Sequence, residues 1–267
     1  MTVPDRISLS LGKSPLVKPK PLLQDPLADL ARNGKLGKEN WEQMRPSRVL
    51  LFNILATAAF YIASFAVLGG SFPTIDSSGQ EIVAWFSENG IEARVYAWTA
   101  AFFSLGLAIF GGQVSALLPK PNRYIFFAGV LGFALTAQVQ AWIWAGLAFH
   151  PQDLDPAAAR TVFAIAAYWG PLVNGSTTAM AAAVAALGFT ASPIIPRWLT
   201  WLSVIFFVEQ AIETVTVFGS TGFIAPGGAM NVYLGGAIGF LWVAGVVRWA
   251  IQQLDRPGHP QKKLASD

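Results

Sequence analysis

Apolar runs of about 20 residues, long enough to cross a bilayer as α-helices, recur six times along the chain. They cover roughly Val49 to Gly69, Val95 to Leu118, Tyr124 to Phe149, Gly170 to Ala191, Trp198 to Ser220 and Val232 to Arg248. A membrane β-barrel would show short alternating segments instead. The polar stretches between the runs carry their own signals. EIVAWFSENG, in the first connection, is short and amphipathic, which predicts a helix lying on the membrane surface. Asp155-Pro156 reads as a helix N-cap followed by proline at the first helical position. Pro171 predicts a break or kink near the entry to the fourth run. LPKPNR and IIPRW are tight turns, and TGFIAPGGAMN is a turn-rich loop. The expected fold class is an all-α integral membrane protein, a six-transmembrane-helix bundle with short amphipathic outer-loop helices.

Charge orients the bundle. Of the 18 Lys and Arg, all but Arg94 and Arg160 fall before the first run, in the second and fourth connections, or from Arg248 onward. The first and third connections hold instead Asp76, Glu81, Glu88, Glu92, Asp153 and Asp155. Lys and Arg prefer the cytoplasmic side, so both termini are expected to be cytoplasmic, which an even number of spans satisfies. The expected organisation is a basic N-terminal arm over 1–46, partly disordered, a membrane domain over 47–250 and a polar tail over 251–267, in the plasma membrane. Composition agrees: 54% of residues are hydrophobic and 12% charged, against about 25% charged in soluble domains. There is no cysteine, which removes disulfides, thiolate metal sites and cysteine nucleophiles. The net charge of +3 follows from the cytoplasmic loops and tails, so nucleic acid is not an expected partner.

Glu209 and Glu213 carry the most informative chemistry, because they stand in the middle of an apolar run. Four residues apart, they share one helix face, and a charge inside hydrocarbon faces the protein interior or a wet cavity. Desolvation and a like charge one turn away both favour the uncharged form of a carboxyl, so the pair reads as a proton or cation site. Gln138, Gln140, Asn174, Ser176 and Thr177 fall at comparable depth, counted from the outer ends of their runs. Together these residues form a candidate polar pocket, with Trp142, Trp144 and Tyr168 at its rim to wall a hydrophobic ligand. The competing reading is structural, with protonated glutamates and glutamines tying helices together. No metal site and no cofactor is expected. His150 with Asp153 and Asp155 reads as an ordinary polar turn. A serine hydrolase would need His150 as base with Ser176 or Thr177 as nucleophile, and no G-x-S-x-G motif is present.

FPTIDSSGQEIVAWFSENG before RVYAWTAAFFSLGLAIFGGQ, LDPAAARTVFAIAAYWGP, IPRWLTWLSVI and FGSTGFIAPGGAMNVYLGGAIGFLWVAGVVRW give the chain, over roughly 47–250, its likeness to known proteins. It resembles uncharacterised six-helix membrane proteins common in actinobacteria. The resemblance implies the fold and brings no activity with it; the long basic arm before Arg48 departs from the pattern. Three functions follow as expectations. The first is a non-enzymatic accessory subunit that docks a protein partner, a second copy or membrane lipid through the arm and the small-residue helix faces. The second is a small proton- or cation-coupled transporter or lipophile-binding protein built on the glutamate pair. The third is a membrane hydrolase.

Overall fold

A computed structural model describes residues 45–69 and 72–256. All of the expected arm except Arg45 and Pro46 lies outside the described residues, as do Lys262 and Lys263 of the tail. The helices are α1 (Pro46–Val67), α2 (Gly79–Glu88), α3 (Gly90–Ser115), α4 (Asn122–Leu147), α5 (Pro156–Ala167), α6 (Trp169–Gly188), α7 (Arg197–Glu213) and α8 (Gly236–Leu254). Short 3-10 turns occur at Pro151–Asp153, Thr214–Phe218 and Gly222–Ile224, and a π-helix spans Met230–Gly235. Among the described residues there is no strand.

Five helices are long and apolar enough to cross a membrane: α1, α3, α4, α7 with its extension to Phe218, and α8 extended back to Tyr233. That is the build of an integral membrane protein. The fourth apolar run, α6, is not among the five. Its early turns hold Asn174, Ser176, Thr177 and Thr178, and polar residues and glycines dilute its apolar content. The reason lies in packing, since α6 runs between α4 and α7 and buries Asn174, Thr177, Met180, Ala181 and Val184. A helix covered by protein does not need an apolar surface all round. Pro171 neither breaks nor kinks α6, because it sits in the first turn, where its missing N–H costs no helical bond. The break comes earlier, at Tyr168 between α5 and α6.

The long helices pack in a closed series. α1 lies on α3, α3 on α4, α4 on α6, α6 on α7, and α8 returns to both α7 and α1. Ser47 at the start of α1 donates to Asp255 after α8 at 2.7 Å, fastening the ends. The core draws on every one of these helices, with Leu50, Phe110, Phe126, Val184, Leu199 and Trp242 all almost completely buried. Inside a membrane this packing rests on close contact more than on the hydrophobic effect, so small residues mark the crossings. A Cβ added at Gly188 of α6 would overlap the Thr200 side chain of α7, its Cβ included at 2.6 Å. Gly188→Ala is expected to cost about 1–3 kcal/mol of stability by overpacking. Thr200→Ala in the same chain should recover part of it, because it removes the two nearer side-chain atoms and leaves the Cβ contact at 2.6 Å, as measured by thermal unfolding in detergent; equal melting of the wild type and the single variant would refute the close-approach account.

A second, smaller core joins α2 and α5 to the end of α4 around Ile82, Phe86, Trp144 and Phe163. The amphipathic stretch of the first connection is α2, opened by a capping box. The Ser78 backbone N–H donates to Glu81 at 2.7 Å, and the Glu81 N–H donates to the Ser78 hydroxyl at 3.2 Å. The backbone bond from Ser78, and then its side-chain bond, hold the Glu81 carboxyl below its ordinary range. The stabilisation it lends α2 is therefore present above the ordinary carboxylate value and is lost as pH falls through the lowered one. α5 starts as expected from Asp155-Pro156, the Asp155 carboxylate accepting from the Ala158 N–H at 2.9 Å.

Candidate functional site

The fifth run is not one uninterrupted α-helix. α7 ends at Glu213 and tightens into a 3-10 turn through Phe218. Four β-branched residues in a row, Thr214-Val215-Thr216-Val217, weaken α-helix there. Their hydroxyls also take the last carbonyls: Thr214 donates to Ala211 O at 2.6 Å and Thr216 to Glu213 O at 2.7 Å. The two acids thus stand in the last two turns of α7, and Gln210 shares their buried face. Glu209 is 9% exposed, Gln210 4% and Glu213 1%.

Gln210 is the hub. Its amide nitrogen donates to Glu209 Oε2 at 2.8 Å and to Glu213 Oε2 at 3.1 Å. Its amide oxygen accepts from the Thr177 hydroxyl of α6. From the opposite side, Asn231 in the π-helix donates its amide to Glu213 Oε2 at 3.3 Å. The π-helix also brings Gly235 against the same carboxyl, where an added Cβ would stand 2.5 Å from Oε1 and 2.6 Å from Oε2. A larger residue there would push the Glu213 carboxyl aside. Single-turn π segments recur at functional sites, and this one supplies both a donor and a close backbone approach.

Several polar atoms in this region remain without partners. Glu209 Oε1, Glu213 Oε1, Asn231 Oδ1 and Asn174 Nδ2 are all buried and make no hydrogen bond. Asn174 stands one turn before Thr177 on the same face of α6. The hydrogen-bond donors around the two carboxyls are uncharged amides, and they reach only one oxygen of each.

Of the residues singled out in the sequence, Glu209, Glu213 and Thr177 come together in one network, with Asn174 beside it. The others lie elsewhere. Ser176 packs its hydroxyl on Gly132 of α4. Gln140 accepts from the Tyr96 hydroxyl of α3 at 2.7 Å, a separate link between α3 and α4. Gln138 and Tyr168 are half-buried. Trp142 is 69% exposed, on the outer face of α4. Trp144 belongs to the second core, with ring centroids 4.9 Å from Tyr96 and 5.6 Å from Phe86. His150 is exposed and set edge-on to Phe149 at 4.3 Å. Among the described residues no group of three or more His, Cys, Asp and Glu is arranged to hold a metal ion.

Two members of the network, Gln210 and Asn231, went unrecognised in the sequence. Gln210 had a signal: in EQAIE, positions 209, 210 and 213 form one helix face, so the glutamine falls between the acids. Asn231 had none, since it comes from a loop-like stretch eighteen positions beyond Glu213. Compared with known protein families, curated proteins and solved structures, the chain matches none of them.

Proposed function

We propose that the chain is a plasma-membrane protein of six spans with both termini cytoplasmic, and that Glu209, Gln210 and Glu213 form an exchange site for a proton or small monovalent cation, the centre of a cation-coupled transporter. The six-span reading draws on the charge distribution. It also draws on α6, whose 20 residues rise about 30 Å at 1.5 Å per residue, enough to cross the hydrocarbon core of a bilayer.

One observation carries the functional reading: two carboxyl groups, both buried, share a single amide donor and keep one oxygen each without a partner. Buried carboxylates are tolerated when charge and hydrogen bonds compensate them. Two neutral amides compensate less than two negative charges, so a proton or cation between the free oxygens completes the site. Every contact that holds the carboxyls comes from uncharged groups, which leaves the compensating charge free to exchange. The expectation of an accessory subunit rests mainly on the arm, outside the described residues, and the buried pair favours the transporter.

Dicyclohexylcarbodiimide reacts with protonated carboxyls in apolar surroundings. It is expected to modify Glu209 or Glu213 in membranes, read by peptide mass spectrometry. If neither reacts at mildly acidic pH with no competing cation in the buffer, the exchange site is wrong.

A further inference from the structure

A groove of about 410 Å³ runs along the outer side of α7, between that helix and the π-helix. Trp201, Ile205, Val208, Met230 and Leu234 line it, and Glu209 is its single ionisable wall residue. Trp201 is 60% exposed and Ile205 54%, so the groove opens away from the protein core, on the side a bilayer would cover. Its size falls within the range of about 300–1,000 Å³ typical of small-molecule sites. Glu209 itself is more than nine-tenths buried and has an oxygen with no partner.

We propose that this groove is a lateral binding site for a lipophilic organic cation, whose charged centre is held by Glu209. The proposal rests on the reading of the glutamate pair as a cation-accepting site and names its substrate class. Two complementarities carry it. The apolar walls match a hydrophobic body and offer nothing to a hydrophilic one. The one charge-bearing group in the wall is an acid whose free oxygen lacks a donor, which selects a positive centre over a neutral or negative one. Trp201 adds an aromatic face of the kind that attracts organic cations. A neutral acyl chain would fill the walls and leave Glu209 Oε1 as it is; a cation answers both. Glu209 and Glu213 then differ in role. Glu213 accepts from both Gln210 and Asn231, whereas Glu209 accepts from Gln210 alone; reaching a bound cation requires the Glu209 carboxyl to turn outward about its side-chain bonds.

The test uses purified full-length protein in lipid nanodiscs and equilibrium binding of tetraphenylphosphonium. Saturable binding is expected in the wild type. Glu209→Gln should weaken it by about tenfold or more, the loss of one charged contact. Val208→Phe, which fills the groove without touching the polar network, should weaken it comparably, with gel filtration and helical circular dichroism unchanged in both variants. A neutral triphenyl compound that competes as well as the cation would overturn the proposal, because the groove would then read only apolar bulk. Equal affinity in the wild type and Glu209→Gln would overturn it too. Carbodiimide modification of the pair without saturable binding of the cation removes this inference and leaves the exchange site standing. Absence of both removes both.

Discussion

Trp242→Ala is expected to lower stability by about 3–5 kcal/mol, the range for deleting a large aromatic from a packed interior. Trp242 of α8 is fully buried. It stacks on Phe206 of α7 with centroids 4.8 Å apart and lies tilted against Phe126 of α4 at 6.3 Å. Its indole N–H donates to Ser203 at 2.9 Å, and the Ser203 hydroxyl donates on to Leu199 O at 2.7 Å. One side chain thus ties the last helix to two others, at the point where the series of helices closes. Trp242→Phe separates the two contributions, because it keeps most of the ring volume and loses the N–H while Ser203 keeps its bond to Leu199. That variant should cost about 1 kcal/mol, the usual worth of one hydrogen bond. Unfolding in detergent measures both; a loss under about 1 kcal/mol for Trp242→Ala would contradict a cavity at the centre of the bundle.

The helical layout was legible in the sequence because hydrocarbon demands long apolar segments and hydrogen-bonded backbone, and both leave plain marks. The start of α5 at Asp155-Pro156 and the helix in EIVAWFSENG were legible for a local reason, since capping is decided by adjacent residues. What stayed hidden depended on partners distant in sequence. Gln140 looked like a neighbour of the glutamates by depth, yet its partner is Tyr96 on the helix before it. Trp144 looked like a rim residue, yet α2 and α5 fold over it. The end of α7 at Glu213 and the π-helix at Met230–Gly235 are departures of a single turn, too brief for a periodic pattern to register. Asn231 is the sharpest case: nothing in TGFIAPGGAMN distinguishes a donor to a buried carboxyl from an ordinary loop asparagine.

Gln210→Leu is also expected to be damaging, at about 1–3 kcal/mol, the cost of leaving buried polar groups without their donor. Leucine fills similar space without a polar atom. Glu209 loses its one amide donor, and Glu213 keeps Asn231 alone, at 3.3 Å. Thr177 suffers little, since its hydroxyl also reaches Val173 O at 3.3 Å and Asn174 O at 3.1 Å. The damage therefore falls on the carboxyls. Thr177→Val tests this by cutting the same network from its other end. It should cost only about 0.6 kcal/mol, the average for an interhelical hydrogen bond in a membrane protein. Making all three of Glu209, Gln210 and Glu213 leucine should recover most of the stability lost in the single variant, because an apolar seam needs no compensation, and should also abolish reaction with the carbodiimide. Stability in the triple variant together with loss of reactivity would separate the two roles of the network, since a seam built only to hold helices together gains nothing from keeping its acids. If Gln210→Leu proves as mild as Thr177→Val, the glutamates have compensation that the amides do not supply, and the free oxygens no longer argue for an exchangeable cation.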